Sequence, residues 1–186
     1  HHGHAMAYDA ERGVTVVFAG YNVGGYRQDT WEWDGETWVE RTPDGPVPSA
    51  RRYHAMAYDA ARGVTVLFGG QKSQTSSNNP VKVQDTWEWD GETWIERQPE
   101  GAQPTARYAH AMAYDAARGR VVLFGGTSNS GRLQDTWEWD GNEWTQRTTA
   151  NTVPTRYGHG MAYDTARGRV VLFGGFGGDA SSGYLQ

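Results

Sequence analysis

The segment His54-Ala-Met-Ala-Tyr-Asp59, running on through Ala61-Arg62-Gly63 into Val66-Leu-Phe-Gly-Gly70, decides how this chain is read. It returns as His110 to Gly126 with two of 17 positions changed, and again as His4 to Gly20 and His159 to Gly175. A second block, Asp-Thr-Trp-Glu-Trp-Asp-Gly, alternates with it at 29–35, 85–91 and 135–141, each copy followed by Trp38, Trp94 or Trp144. The four histidines stand 50, 56 and 49 residues apart, a spacing that belongs to propeller or solenoid arrays.

Each repeat predicts four short strands. The first is His-x-Met-Ala-Tyr-Asp, and the second is the apolar run ending in Gly-Gly, continuous enough to be buried on both faces. The third is Asp-Thr-Trp-Glu-Trp-Asp, whose alternation places Trp31 and Trp33 on one face and Glu32 on the other. The fourth is Glu-x-Trp-x-x-Arg. Asp-Gly between strands three and four is a strong hairpin signal. No segment has a helical hydrophobic period, so the fold class is all-β. The repeats fall at 4–41, 54–97, 110–147 and, as a half unit, 159–186.

Composition narrows the function. Seventeen basic residues against 22 acidic ones give a net charge of −5, which offers nothing to a nucleic-acid backbone. The absence of Cys excludes disulfides, thiolate metal sites and a cysteine nucleophile. No apolar run approaches the ~20 residues of a membrane-spanning helix. All nine Trp fall in the second block, three per copy, as packing between stacked sheets requires. Their indole N–H groups are expected to reach neighbouring backbone acceptors.

Four features together resemble kelch repeats. They are Arg51, Arg107 and Arg156 before strand one; the pairs Gly69-Gly70, Gly125-Gly126 and Gly174-Gly175; the third-strand Trp33, Trp89 and Trp139; and the fourth-strand Trp38, Trp94 and Trp144. The resemblance covers essentially the whole chain, with Ala19-Gly20 and His1 as departures in the first repeat. It implies a β-propeller of four-stranded blades, strand one innermost. The strings Tyr-Asp-x-Ala-Arg-Gly and Asp-Thr-Trp-Glu-Trp-Asp-Gly also look like bacterial, often exported, kelch arrays, which implies an extracellular or cell-surface setting. About three and a half blades are present, so the expectation is an excerpt of a longer array, with self-association to complete a ring as the other solution.

Blade topology sorts the connections. The one–two and three–four turns lie on one face, here called B. The two–three and four–one connections lie on the opposite face, T, where the repeats diverge: 8 residues separate Gly20 from Asp29, but 14 separate Gly70 from Asp85. Divergent loops on a rigid scaffold make T the expected binding surface. The candidate binding residues there are Arg51, Arg107, Arg156, Tyr21, Tyr26, Lys72, Asn78, Asn79, Lys82 and Arg132, with Tyr184 a further loop aromatic. By the resemblance, rim arginines contact acidic peptide or ligand groups. The alternative for them is an inter-blade hydrogen bond to loop carbonyls.

Four equivalent histidines, His4, His54, His110 and His159, invite a metal reading, but equivalent atoms of successive blades are too far apart for one ion. Structural hydrogen bonding is expected of them. The pairs Asp34/Glu36, Asp90/Glu92 and Asp140/Glu143 recur in blade after blade, unlike the distinct acid and base of a glycosidase. No catalytic residue, metal or cofactor is expected. The sequence therefore points to a non-enzymatic scaffold for a protein or peptide, with a glycan-binding propeller and a purely structural or engineered array as alternatives.

Overall fold

Successive hairpins give a chain that runs up and down in sheet after sheet, as seen in a computed structural model that describes residues 2–74, 77–151 and 153–177, with only the backbone described at 74 and 77–79. Three sheets are four-stranded. Blade 1 joins Ala5–Asp9, Val14–Asn22, Gly25–Trp33 and Trp38–Arg41 in sequence order. Blade 2 joins Ala55–Asp59, Val64–Phe68, Thr86–Trp89 and Trp94–Arg97, and blade 3 joins Ala111–Asp115, Arg120–Phe124, Thr136–Trp139 and Trp144–Arg147. Gly160–Asp164 pairs with Arg169–Phe173 as the inner half of a fourth blade. First strands of successive blades are neighbours, which puts them innermost. Among the described residues no helix is long and apolar enough to cross a membrane. The ring is not closed by this chain.

The turns form where the sequence supplies their chemistry. At the one–two turn Gly63 N–H donates to the Asp59 carbonyl at 2.9 Å, with Gly63 at φ +66. At the three–four turn the Asp90 carboxylate accepts the N–H groups of Glu92 and Thr93 at 2.9 and 2.7 Å, a side-chain cap on the hairpin.

Two seams between blades hold the core. In the first, Val16 and Phe18 of blade 1 pack with Met56, Leu67, Trp89 and Trp94 of blade 2. In the second, Val66 and Phe68 of blade 2 pack with Met112, Leu123, Trp139 and Trp144 of blade 3. Phe18 meets Trp94 edge-on at 5.1 Å, and Phe68 meets Trp144 at 5.2 Å. The indole donors differ from expectation, because side chains receive them. Trp89 Nε1 donates to Glu32 and Trp94 Nε1 to Thr30, both at 3.0 Å; Trp139 and Trp144 donate to Glu88 and Thr86 at 2.9 and 3.0 Å. The ladder already occupies the backbone carbonyls of strand three, so the seam takes its acceptors from the side chains that face it.

The paired glycines are a matter of clearance. A Cβ on Gly69 would lie 2.9 Å from the Arg107 carbonyl and 3.2 Å from His110 Cε1 of the next blade, and Gly69 has φ +66. Blade 1 departs here and holds Ala19 at φ +55, buried in the seam.

Candidate functional site

The T face is built from the ends of strands two and three and from the residues before strand one. In blade 2 the 14-residue connection, expected as a loop, extends the sheet: Gln71–Gln74 pairs with both Arg51–Arg52 and Ser77–Lys82. The side chains of the candidates Asn78 and Asn79 are not described, and Tyr184 lies outside the described residues.

The guanidinium groups of Arg51 and Arg107 are buried and bonded inside the molecule. Arg51 is 0% exposed; it donates to both carboxylate oxygens of Asp85 at 2.8 and 2.6 Å, to the Gly69 carbonyl at 3.0 Å and to the Ser49 carbonyl at 2.9 Å. Arg107 repeats this with Asp135 at 2.7 Å twice, the Gly125 carbonyl and the Thr105 carbonyl. Arg156 is buried too and donates to the Pro154 and Gly174 carbonyls. In Arg51 and Arg107 a fork with every donor spent inside the blade is a latch between the four–one connection and the ends of strands two and three. The carbonyl part of the alternative holds, but within the blade. Between blades it is the backbone that bonds, from Gly70 N–H to the Arg107 carbonyl at 2.8 Å. Burial raises the carboxyls of Asp85 and Asp135, yet the hydrogen bond and charge of Arg51 and Arg107 outweigh it and leave both below the ordinary range. Blade 1 supplies the control. Its Asp29 Oδ1 is buried without a hydrogen bond, the nearest cation being Arg27 at 3.8 Å.

The histidines of strand one sit in the seams. The rings of His54, His110 and His159 pack edge-on against Phe18, Phe68 and Phe124 of the preceding blade at 5.6 Å, and their polar contact is with the backbone of that same phenylalanine, too loosely placed for a regular hydrogen bond. Burial and then the neighbouring rim arginine push His110 down to about 3 and His159 to about 4, and hold His54 well below its usual value. They are neutral wedges in the seams. Among the described residues no three metal-ligating side chains converge.

What T does present is cations stacked on tyrosines. Arg52 Cζ lies over the rings of Tyr21, Tyr26 and Tyr53 at 5.1, 5.3 and 5.0 Å. Lys82 Nζ lies over Tyr108 at 5.7 Å and also donates to Asn129 at 2.9 Å; Arg132 Cζ lies over Tyr157 at 5.5 Å. Of the sequence candidates, Tyr21, Tyr26, Lys82 and Arg132 thus belong to this row, one cation for each of three blade junctions. Lys72 instead lines a cleft of about 620 Å³ with Lys82, Gln84, Gln98 and Gln103 at the periphery of T. Arg52, Tyr53, Tyr108 and Tyr157 were missed by sequence reasoning, although each directly follows or nearly follows a rim arginine.

Face B is occupied otherwise. Asp34, Asp90 and Asp140 spend their carboxylates on their own turns. A second network went unforeseen: Glu32, buried, accepts Arg12 at 2.7 Å and Arg41 at 2.8 Å in addition to Trp89. Glu88 does the same with Arg62 and Arg97, and Glu138 with Arg118 and Arg147. Its signal was the Asp-x-x-Arg of each one–two turn, where Arg12 and Arg62 also pair with Asp9 and Asp59.

A family model described as the KLHDC2/KLHL20/DRC7 Kelch-repeats domain matches residues 3–178 of the chain. No curated protein gives a significant match.

Proposed function

The chain belongs to the kelch-repeat family, and from that premise we propose that it is a non-enzymatic scaffold recognising a protein or peptide through face T. Kelch repeats generally mediate protein–protein interaction and are typically non-catalytic. The observation that carries the reading here is the row of half-buried tyrosines capped by Arg52, Lys82 and Arg132, all on the face where the connections diverge. Tyrosine and arginine dominate binding energy at protein interfaces, because they bury much area with few rotors and carry polar tips. On face B the carboxylates of Asp34, Asp90 and Asp140 are spent on their own turns.

The test is selection of peptides from a display library on the intact chain, followed by mapping. Binding lost in Lys82→Glu combined with Arg132→Glu, and kept in Glu92→Lys on face B, is the expected result. Peptides indifferent to the T-face change, or a glycan array giving ligands dependent on Tyr21 or Tyr26 where no peptide is selected, would overturn it.

A further inference from the structure

The dipeptide Asp-Gly occurs four times in the chain, and the fold treats one copy differently from the other three. Asp34-Gly35, Asp90-Gly91 and Asp140-Gly141 make the three–four turns, where each carboxylate is tied down. Oδ1 accepts the N–H groups two and three residues further on, at 2.7–2.9 Å. In Asp34 and Asp90, Oδ2 also accepts a threonine hydroxyl at 3.0 Å. Burial raises the carboxyls of Asp90 and Asp140, yet the backbone bonds outweigh it; at Asp34 the Thr37 N–H leads, and all three lie below the ordinary range.

The fourth copy, Asp44-Gly45, stands exposed in the four–one connection Pro43-Asp-Gly-Pro-Val-Pro48. The residue two further on is Pro46, which has no N–H, so the cap of the other three cannot form here. The Asp44 carboxylate has no hydrogen bond among the described residues. Gly45 has φ +95, and a Cβ placed on it would meet nothing within 4 Å. Gly91 and Gly141 instead back onto Arg12 and Arg62, whose Cζ atoms lie 2.9 and 2.7 Å from such a Cβ. Gly35 is as open as Gly45, so Asp34 separates the effect of the cap from that of crowding.

We propose that Asp44-Gly45 is a modification site, at which the chain converts aspartate to isoaspartate ahead of its three capped counterparts. The Gly45 main-chain nitrogen attacks Asp44 Cγ; the N–Cγ bond forms, a Cγ–O bond breaks, and the amide proton leaves with the carboxyl OH as water. Water then adds to the Asp44 main-chain carbonyl and breaks its bond to the Gly45 nitrogen. A carboxylate is regenerated, and nothing is oxidised or reduced. Glycine leaves the attacking nitrogen unshielded, since it has no Cβ. A cap opposes the step twice: it keeps the carboxylate ionised and a poor electrophile, and Cγ cannot turn to the nitrogen without giving up its hydrogen bonds. The product routes the backbone through Cβ and Cγ, one atom longer, in the connection that leads to the Arg51 latch. Its freed α-carboxylate is the group methylated by enzymes that transfer methyl from S-adenosylmethionine to isoaspartyl residues.

The experiment incubates the intact chain at neutral pH and body temperature for several weeks and follows the tryptic peptides 28–41, 42–51, 83–97 and 133–147, each carrying one Asp-Gly. Electron-transfer fragmentation locates isoaspartate in each peptide. Methyl incorporation from S-adenosylmethionine by a purified isoaspartyl methyltransferase counts it independently. Peptide 42–51 should convert at least about tenfold faster than 28–41, since two hydrogen bonds must open at Asp34 and none at Asp44. In concentrated urea, where the caps are gone, the four rates should converge. Asp44→Glu, whose ring closure needs six atoms instead of five, should remove most of the methyl incorporation while leaving the fold intact. Equal conversion of Asp34 and Asp44 in the folded chain overturns the proposal. So does isoaspartate that forms in 42–51 only in urea, or a spread of rates that urea leaves unchanged.

Discussion

Asp29–Trp38 and Asp85–Trp94 are the same ten residues in the same order, and they live in different surroundings. Trp94 is 2% exposed, wedged against Phe18 of the blade before it; Trp38 is 50% exposed on the free side of blade 1. Within each blade the local structure is the same: Trp33 and Trp38 meet at 5.3 Å, and Trp89 and Trp94 at 5.4 Å. The other free side repeats the lesson, with Phe173 74% exposed where Phe68 is 0%. Identical sequence makes an identical blade. Burial comes from the neighbour.

The sharpest way to break this comparison is to cut the same tryptophan in both settings. Trp94→Ala should cost about 3–5 kcal/mol, from lost burial plus the cavity left in the seam. Trp38→Ala should cost about 2 kcal/mol or less, since half its surface is already in water and no seam is left empty. Chemical denaturation of the two variants against the parent measures the difference, and equal losses would refute the seam account.

Acid tests the seams together. An unfolded imidazole takes its proton near 6.5, whereas folded His110 and His159 take theirs only near about 3 and about 4, with His54 also lowered. The unfolded state therefore binds more protons across that interval. The stability that these rings contribute is fully present above about pH 6.5 and is lost as pH falls towards 4. Asp85 and Asp135, held below the ordinary carboxyl range, add a further loss below pH 3.8. Denaturation midpoints between pH 7 and pH 4 should fall steadily; a flat profile would mean that these imidazoles are not held neutral by burial.

A finer contrast lies in the buried glutamates. Glu88 accepts an indole from the next blade as well as two guanidinium groups, while Glu138 accepts two guanidinium groups and no indole among the described residues. Glu88→Ala should therefore lose about 1 kcal/mol more than Glu138→Ala, the net worth of one hydrogen bond. Smallest of all is the turn glycine. Gly35 and Gly91 share φ +104, so Ala at either should cost about 1 kcal/mol. Only Gly91 backs onto a neighbour, with Arg12 Cζ 2.9 Å from an added Cβ. That flexible end can shift, so the excess at Gly91 should be a few tenths of a kcal/mol by the same scale.

Much of the blade was legible because its signals are local. Alternating Trp-Glu-Trp, Asp-Gly turns and an apolar second strand each fix strand or turn within a few residues, and the register between Trp33 and Trp38 follows from the turn alone. The proposed binding face was legible as the face of divergent loops, but its chemistry was not. Rim arginines 51, 107 and 156 drew attention because they repeat, and Arg51 and Arg107 each close on the Asp that opens their own third strand. Arg52 and Tyr53 drew none, because they occur once. A unique residue beside a repeated one is a weak signal in sequence, and only the fold gathers Tyr21 and Tyr26 from 26 or more residues away onto the same guanidinium.

The sequence by itself determined the all-β class, the strand order within a blade, the turns and the two faces, since these depend on alternation, turn chemistry and repetition. The tertiary structure decided which of two identical tryptophans is core, which arginine is latched and which is stacked on tyrosines, and which carboxylates receive the indoles. The physical reason is the same in each case. Burial and pairing are properties of what the next blade brings within a few ångströms, and in a repeat protein the next blade is about fifty residues further along the chain.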